Sequence, residues 1–190
     1  MKRIGFGQVE PNHLSAQRTS QIYAQLPAKS DINVLENGQY VKYDYANGEV
    51  NFTGAGEWMM VFNEVKLYDD FWKESYKDYA MQAKDFTPGS DSITHDGVGP
   101  FKGQMTPRVI KTNIGDIYTT NMVETGKEYA VGDELQLKKV ENTGSDNVST
   151  YNTLVLAKDA GDTVSTIKFV VAKVYTMPDG QPGLKLQRIA

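Results

Sequence analysis

From Pro107 to Ala190 the chain is punctuated by turn signals every ~8–15 residues, a spacing that leaves room for short strands and little else. "RVIKT" and "DIYTTNMV" flank Gly115, and "DELQLKKV" follows Val131-Gly132-Asp133. "TLVLAK" runs into Ala160-Gly161-Asp162, and "TIKFVVAKVY" meets "GLKLQRI" across Pro178-Asp179-Gly180. Gly, Asn and Asp at such points supply left-handed or self-hydrogen-bonded backbone at low cost. The expectation is a mainly β fold: an antiparallel β-barrel or sandwich body over 107–190.

Upstream, "ENGQYVKYDYANGEVNF" (36–52) reads as a hairpin closed by Asn47-Gly48. A two-residue turn there puts Tyr45 opposite Val50 and Tyr43 opposite Phe52, with Val41 on the same apolar face. Lys42, Asp44 and Asn51 fall on the other face, as the period of two requires. "GEWMMVFNEVKLY" then alternates Trp58, Met60 and Phe62 against Met59, Val61 and Asn63, so it reads as a central strand covered on both sides. In "DDFWKESYKDYAMQAKDF" the period changes: Trp72, Tyr76, Tyr79, Ala80 and Ala83 recur every three or four residues, and Asp69 or Asp70 can cap a short amphipathic helix. The Gly- and Pro-rich stretch 87–106 is an excursion.

The first 34 residues show little periodicity. A helical turn in "SAQRTSQIYAQL" is closed off by Pro27. Ile4, Phe6, Leu14, Ile22, Tyr23 and Leu26 are spaced like anchors along an extended N-terminal arm, which needs a surface to lie on, its own body or a neighbouring subunit. The expected organisation is therefore an arm over 1–34, a β-hairpin and strand unit with a helical segment and loop over 35–106, and the β body over 107–190.

Composition narrows the function. Net charge is −4 and the 20 basic residues are scattered, which argues against nucleic acid as a partner. No apolar run approaches the ~20 residues of a membrane span, and "MKRIGFGQVEPNHLS" lacks the apolar centre of a secretion signal. The chain has no cysteine, which removes disulfides, thiolate metal sites and cysteine nucleophiles and suits a reducing cytoplasm.

No spacing in the chain points to catalysis. His13 and His95 lie far apart, and no zinc-protease, nucleophile-elbow or phosphate-loop motif occurs. Asp69, Asp70 and Glu74 are the acidic residues a glycosidase reading would need, and helix capping accounts for the aspartates as well. "DAGD" (159–162) and "DNVST" (146–150) lack the full alternating ligand set of a calcium loop. The expectation is a protein without catalytic residues, metal or cofactor. The remaining signal is aromatic: 11 Tyr, 7 Phe and 2 Trp. Trp58 and Phe62 read as core. The face of Tyr43, Tyr45 and Phe52 suits core packing and an interface equally.

"EWMMVFNEVKLYDDFWKESYKDYAMQAKDFTPG", "PRVIKTNIGDIYTTNMVETGKEYAVGDELQL" and the closing "MPDGQPGLKLQRI" give residues 35–190 an order of features that resembles virion structural proteins of tailed bacteriophages, above all the small proteins that decorate or cement the capsid. The resemblance implies a non-enzymatic protein on the outer surface of the virion, assembled in the host cytoplasm. Its partners would be the major capsid protein and sister subunits, as a homo-oligomer with a trimer favoured, and neither nucleic acid nor membrane. Ile4, Phe6, Leu14, Ile22, Tyr23, Leu26, Tyr43, Tyr45 and Phe52 are then the expected interface, and deleting residues 2–30 is expected to abolish binding yet leave a folded body. A carbohydrate- or receptor-binding head fibre or tail component, and a head–tail connector or tail structural protein, stay open as alternatives.

Overall fold

The computed structural model describes residues 1, 7–32, 34–63, 80–82, 106–143, 150–159, 161, 165–178 and 180–190. Within them the protein is mainly β. The first half carries β1 (Val9–His13), the single-turn helix α1 (Ser15–Arg18), β2 (Ile22–Tyr23), β3 (Val34–Glu36), β4 (Tyr40–Asp44), β5 (Glu49–Asn51), β6 (Glu57–Val61) and β7 (Ala80–Gln82). The second half adds β8 (Val109–Ile110), β9 (Ile117–Thr120), β10 (Glu134–Thr143), β11 (Thr150–Ala157), β12 (Lys168–Thr176) and β13 (Pro182–Arg188).

All strand pairing within the sheets is antiparallel. A six-stranded sheet runs β1-β9-β13-β12-β10-β11, and a five-stranded sheet runs β2-β8-β6-β4-β5. A two-stranded ribbon, β3-β7, stands beside them. Neither large sheet closes on itself, so of the two expected architectures the body is a sandwich and not a barrel.

The main core lies between the large sheets. Tyr40, Trp58, Met60 and Ile110 from the five-stranded sheet meet Tyr118, Leu135, Leu137, Phe169, Leu184 and Leu186 from the six-stranded one. A second core covers the opposite face of the five-stranded sheet, where Val41, Tyr43, Val50, Met59, Val61 and Val109 pack with Ala28, Ile32 and Leu35. β6 thus sends Trp58 and Met60 to one core and Met59 and Val61 to the other, the two-sided burial its sequence pattern calls for.

Strand pairing crosses the boundaries of the expected three-part division. β1, from the supposed arm, lies against β9 as an edge strand, a position where Pro11 costs no central ladder bond. β2 pairs with β8, and β8 pairs with β6, so the first strand after Pro107 belongs to the other sheet from the rest of its segment. Leu14 and Ala16 sit in the main core. Deleting residues 2–30 would therefore strip an edge strand from each large sheet and part of the core, so that truncation tests folding as well as binding.

Two local expectations also change. Ala80, expected on a helix, opens β7, where Glu36 pairs with Ala80 and Leu35 with Met81; tertiary pairing overrides the helical period there. The rest of that expected helix, with Asp69, Asp70 and Glu74, lies outside the described residues, as do Ile4, Phe6 and His95. The hairpin forms, but its register is Tyr43–Val50 and Asp44–Glu49. Its connection is thus the four residues Tyr45–Gly48, not the two-residue Asn47-Gly48 turn. Asp44 is the cause. Its Oδ1 accepts the amides of Ala46 (3.1 Å) and Asn47 (3.2 Å), which winds the chain one step earlier. Gly48 alone takes the left-handed backbone (φ 66°), whereas a tight mirror-image turn would need Asn47 there too.

Candidate functional site

The altered register decides which tyrosine is available. Tyr43 turns into the second core at 1% exposure, and Tyr45 moves from the strand to the tip of the connection, 68% exposed. The rings form a short stack: Tyr43 and Tyr45 meet edge to face at 5.1 Å between centroids, and Tyr23 lies 5.4 Å from Tyr43. Such offset and edge contacts add ~0.5–1.5 kcal/mol beyond area burial, so Tyr45 rests on a fixed base. The Tyr45 hydroxyl is raised from its ordinary pKa, chiefly by desolvation and then by the nearby Tyr23, Tyr43 and Glu57, so at neutral pH it presents a neutral phenol.

Asp44 locks this tip. Besides the two amides at Oδ1, its Oδ2 accepts from Asn47 Nδ2 (2.8 Å), Asn51 Nδ2 (3.3 Å) and the Ala55 amide (3.3 Å). Asn51 Oδ1 accepts the Gly54 amide at 2.6 Å, tying the next loop to the same centre. Hydrogen bonds, first from the Asn47 side chain and against some desolvation, hold the Asp44 carboxyl down at about 2 against an ordinary 3.8. A carboxyl depressed on folding stabilises the fold above its unfolded pKa, and that contribution fades as pH falls from about 3.8 to about 2. Asp44→Asn is expected to lower stability at pH 7 and to flatten the fall in stability between pH 4 and pH 2. Urea titrations of both proteins across that range measure it; parallel curves would show that Asp44 is not the responsible group.

The second feature is a cleft of about 350 Å³ at one end of the sandwich. Lys42, from β4, and Gly56, Glu57 and Trp58, at the start of β6, form one wall; Thr166 and Ile167, before β12, and Arg188, at the end of β13, form the other. Lys42 and Trp58 are paired across strands, and the ammonium lies 5.0 Å from the indole centroid, a cation–π contact that holds it in place. Glu57 is bridged by Lys111 Nζ at 2.7 Å. Arg188 donates through Nη1 to the carbonyl of Thr112 and to its Oγ1 (3.2 Å), and through Nε to the Ala190 oxygen (2.8 Å).

Behind Arg188 a chain of hydroxyls enters the main core. Tyr40 donates to Thr112 Oγ1 (3.5 Å), so the proton between Tyr118 and Tyr40 (3.1 Å) comes from Tyr118. Burial pushes the Tyr40 hydroxyl up to about 12 and that of Tyr118 well above its usual value, which keeps both as neutral donors. This chain is structural: it satisfies buried phenols and fixes the backing of Arg188.

Of the expected interface residues, Leu14 and Tyr43 are core, while Ile22, Tyr23, Leu26 and Phe52 are partly buried against the two cores. Tyr45 alone of the described ones is exposed. His13 is exposed on edge strand β1. In "DAGD", Asp159 is an ion-pair partner of Lys138 at 3.0 Å, shared with Glu124 at 2.9 Å. Among the described residues no group of three or more His, Asp or Glu side chains is arranged to hold a metal ion. The cleft was invisible in the sequence because its walls come from four segments joined only by folding. An exposed Thr166 beside a strand and a charged end to "GLKLQRI" carry no local signal. No protein-family model, curated protein or solved structure matches the chain.

Proposed function

We propose that this chain is a non-enzymatic virion structural protein that binds the outer surface of a tailed-phage capsid and stabilises contacts between capsomers. The observation that carries this reading is Tyr45: a large aromatic, 68% exposed, on a loop whose backbone is pinned by Asp44 and whose ring is backed by Tyr43 and Tyr23. Rigid aromatics make strong contact anchors because they bring area with little rotamer entropy to lose. The order of sequence features over 35–190, which resembles that of capsid decoration proteins, supports the same reading. A protein that bridges capsomers stabilises the shell by linkage, since its binding free energy must be lost before the shell opens. Repetition on the lattice, with the chain as a trimer, adds effective concentration. Partners are then the major capsid protein and sister copies, and the site of action is the capsid surface.

The test is Tyr45→Ser in the full-length chain, because this position lies in the connection after β4, is 68% exposed and belongs to neither core. Phage heads made without the chain are mixed with parent or variant protein, and bound copies are counted after sedimentation. The parent is expected to saturate the heads and raise their resistance to heating, and the variant to bind at least about tenfold more weakly. Equal binding by the variant, or heads that gain no resistance from the parent, would refute the reading.

A further inference from the structure

We infer that the cleft between Trp58 and Ile167 is a binding site for a monocarboxylated sugar ring of the uronate class, free or as one unit of an acidic polysaccharide. This inference rests on different residues from Tyr45 and stands apart from the capsid reading.

At about 350 Å³ the cleft falls at the lower end of small-molecule sites, a size suited to a single ring with substituents. Its charge is mixed in an informative way. Lys42 and Arg188 bring two cations to one opening, and the Glu57 carboxylate beside them is already bridged by Lys111. In a protein of net charge −4, this is a local positive field suited to one carboxylate. Glu57 offsets part of the positive charge at the opening, so the site suits a singly charged ligand better than a doubly charged anion such as phosphate. The same carboxylate accepts hydrogen bonds, and the Thr166 hydroxyl both donates and accepts, so the complementary ligand carries hydroxyl groups as well as one negative charge. An apolar acid would leave these groups desolvated and unpaired. Trp58 and Ile167 add apolar atoms to opposite sides of the cleft, against which the C–H groups of a ring can pack. Arg188 is held by Thr112 and Ala190, and Lys42 by the indole, so both cations are set before a ligand arrives.

The experiment titrates the full chain with glucuronate, glucose, inorganic phosphate and an oligo-uronate, following backbone amide shifts at Gly56, Thr166 and Ile167 by NMR and heat by calorimetry. Glucuronate is expected to saturate with Kd on the order of 1 mM, to weaken as salt is raised, and to bind at least about tenfold more tightly than glucose or phosphate. Lys42→Gln is expected to weaken it about tenfold. If Lys42→Gln fails to fold, Thr166→Val, on an exposed residue outside the strands, is expected to weaken it several-fold instead. Tighter binding of the oligo-uronate per site assigns the natural ligand to a polysaccharide; equal or weaker binding assigns it to the free sugar acid. Absence of saturable shifts, shifts that avoid all three amides, phosphate or glucose binding as well as glucuronate, or full affinity in the folded variant would each overturn the inference.

Discussion

Phe169→Ala is expected to lower the free energy of unfolding by about 3–5 kcal/mol, with both large sheets failing in one transition. The ring is fully buried, 5.6 Å from Tyr40 and 5.8 Å, edge to face, from Tyr118. Tyr40 belongs to the five-stranded sheet and Tyr118 to the six-stranded one, so this side chain fills the seam between them. Its loss removes two aromatic contacts and opens a cavity whose lining, strand residues held by ladder bonds, has little freedom to close. The melting temperature of a chain this size is expected to drop by roughly 6–20 °C. Urea unfolding followed by near-UV and far-UV circular dichroism measures the effect. Two separate transitions, only one of them shifted, would mean that the sheets have independent cores and that the seam is wrongly drawn.

Gly56→Ala is the second large effect, with an expected cost of about 3 kcal/mol. A Cβ at this position would be driven into the Tyr43 carbonyl and against the Asp44 amide nitrogen. Those atoms are strand backbone, paired to β5 on one side and β6 on the other, and cannot step aside. The strain also falls on Asp44, so the Tyr45 tip and the cleft wall at Gly56 shift together. Gly48→Ala is the internal comparison. Nothing lies within 4 Å of its Cβ, and only the left-handed φ of 66° opposes it, for about 1 kcal/mol. Chemical denaturation of both variants gives the ranking. If Gly48→Ala proved the more damaging, the loop at 52–56 would not lie against β4 as described.

The all-β class was legible from turn chemistry, and so were most strands. "DELQLKKV", "TLVLAK", "TIKFVVAKVY" and "GLKLQRI" fall on β10 to β13, and the alternation in "EWMMV" announces a strand buried on both faces. These signals are local: a period of two and a Gly or Asp at the bend are imposed within a few residues. The tip at Tyr45 was half legible. Its aromatic face was evident, but a carboxylate one residue before the turn outweighed the Asn-Gly signal and moved the register. Ala80 went astray because a helical spacing of aromatics is a weak preference, and a partner strand at Val34–Glu36 offers backbone hydrogen bonds that override it.

Which strands become neighbours lies beyond any such local rule. The opening segment reads as a loose arm because its strands are only two and five residues long and the longer one is mostly polar, yet it edges both large sheets. β8 leaves the segment it follows to join β6, and the cleft gathers Lys42, Glu57, Thr166 and Arg188 from separate stretches of the chain. Residue chemistry along the chain was enough to state that it folds as short antiparallel strands around aromatic and aliphatic faces. The division into two sheets, the exposure of Tyr45 over Tyr43 and the existence of the cleft came from long-range pairing, where burial of each apolar face depends on a partner the local sequence does not name.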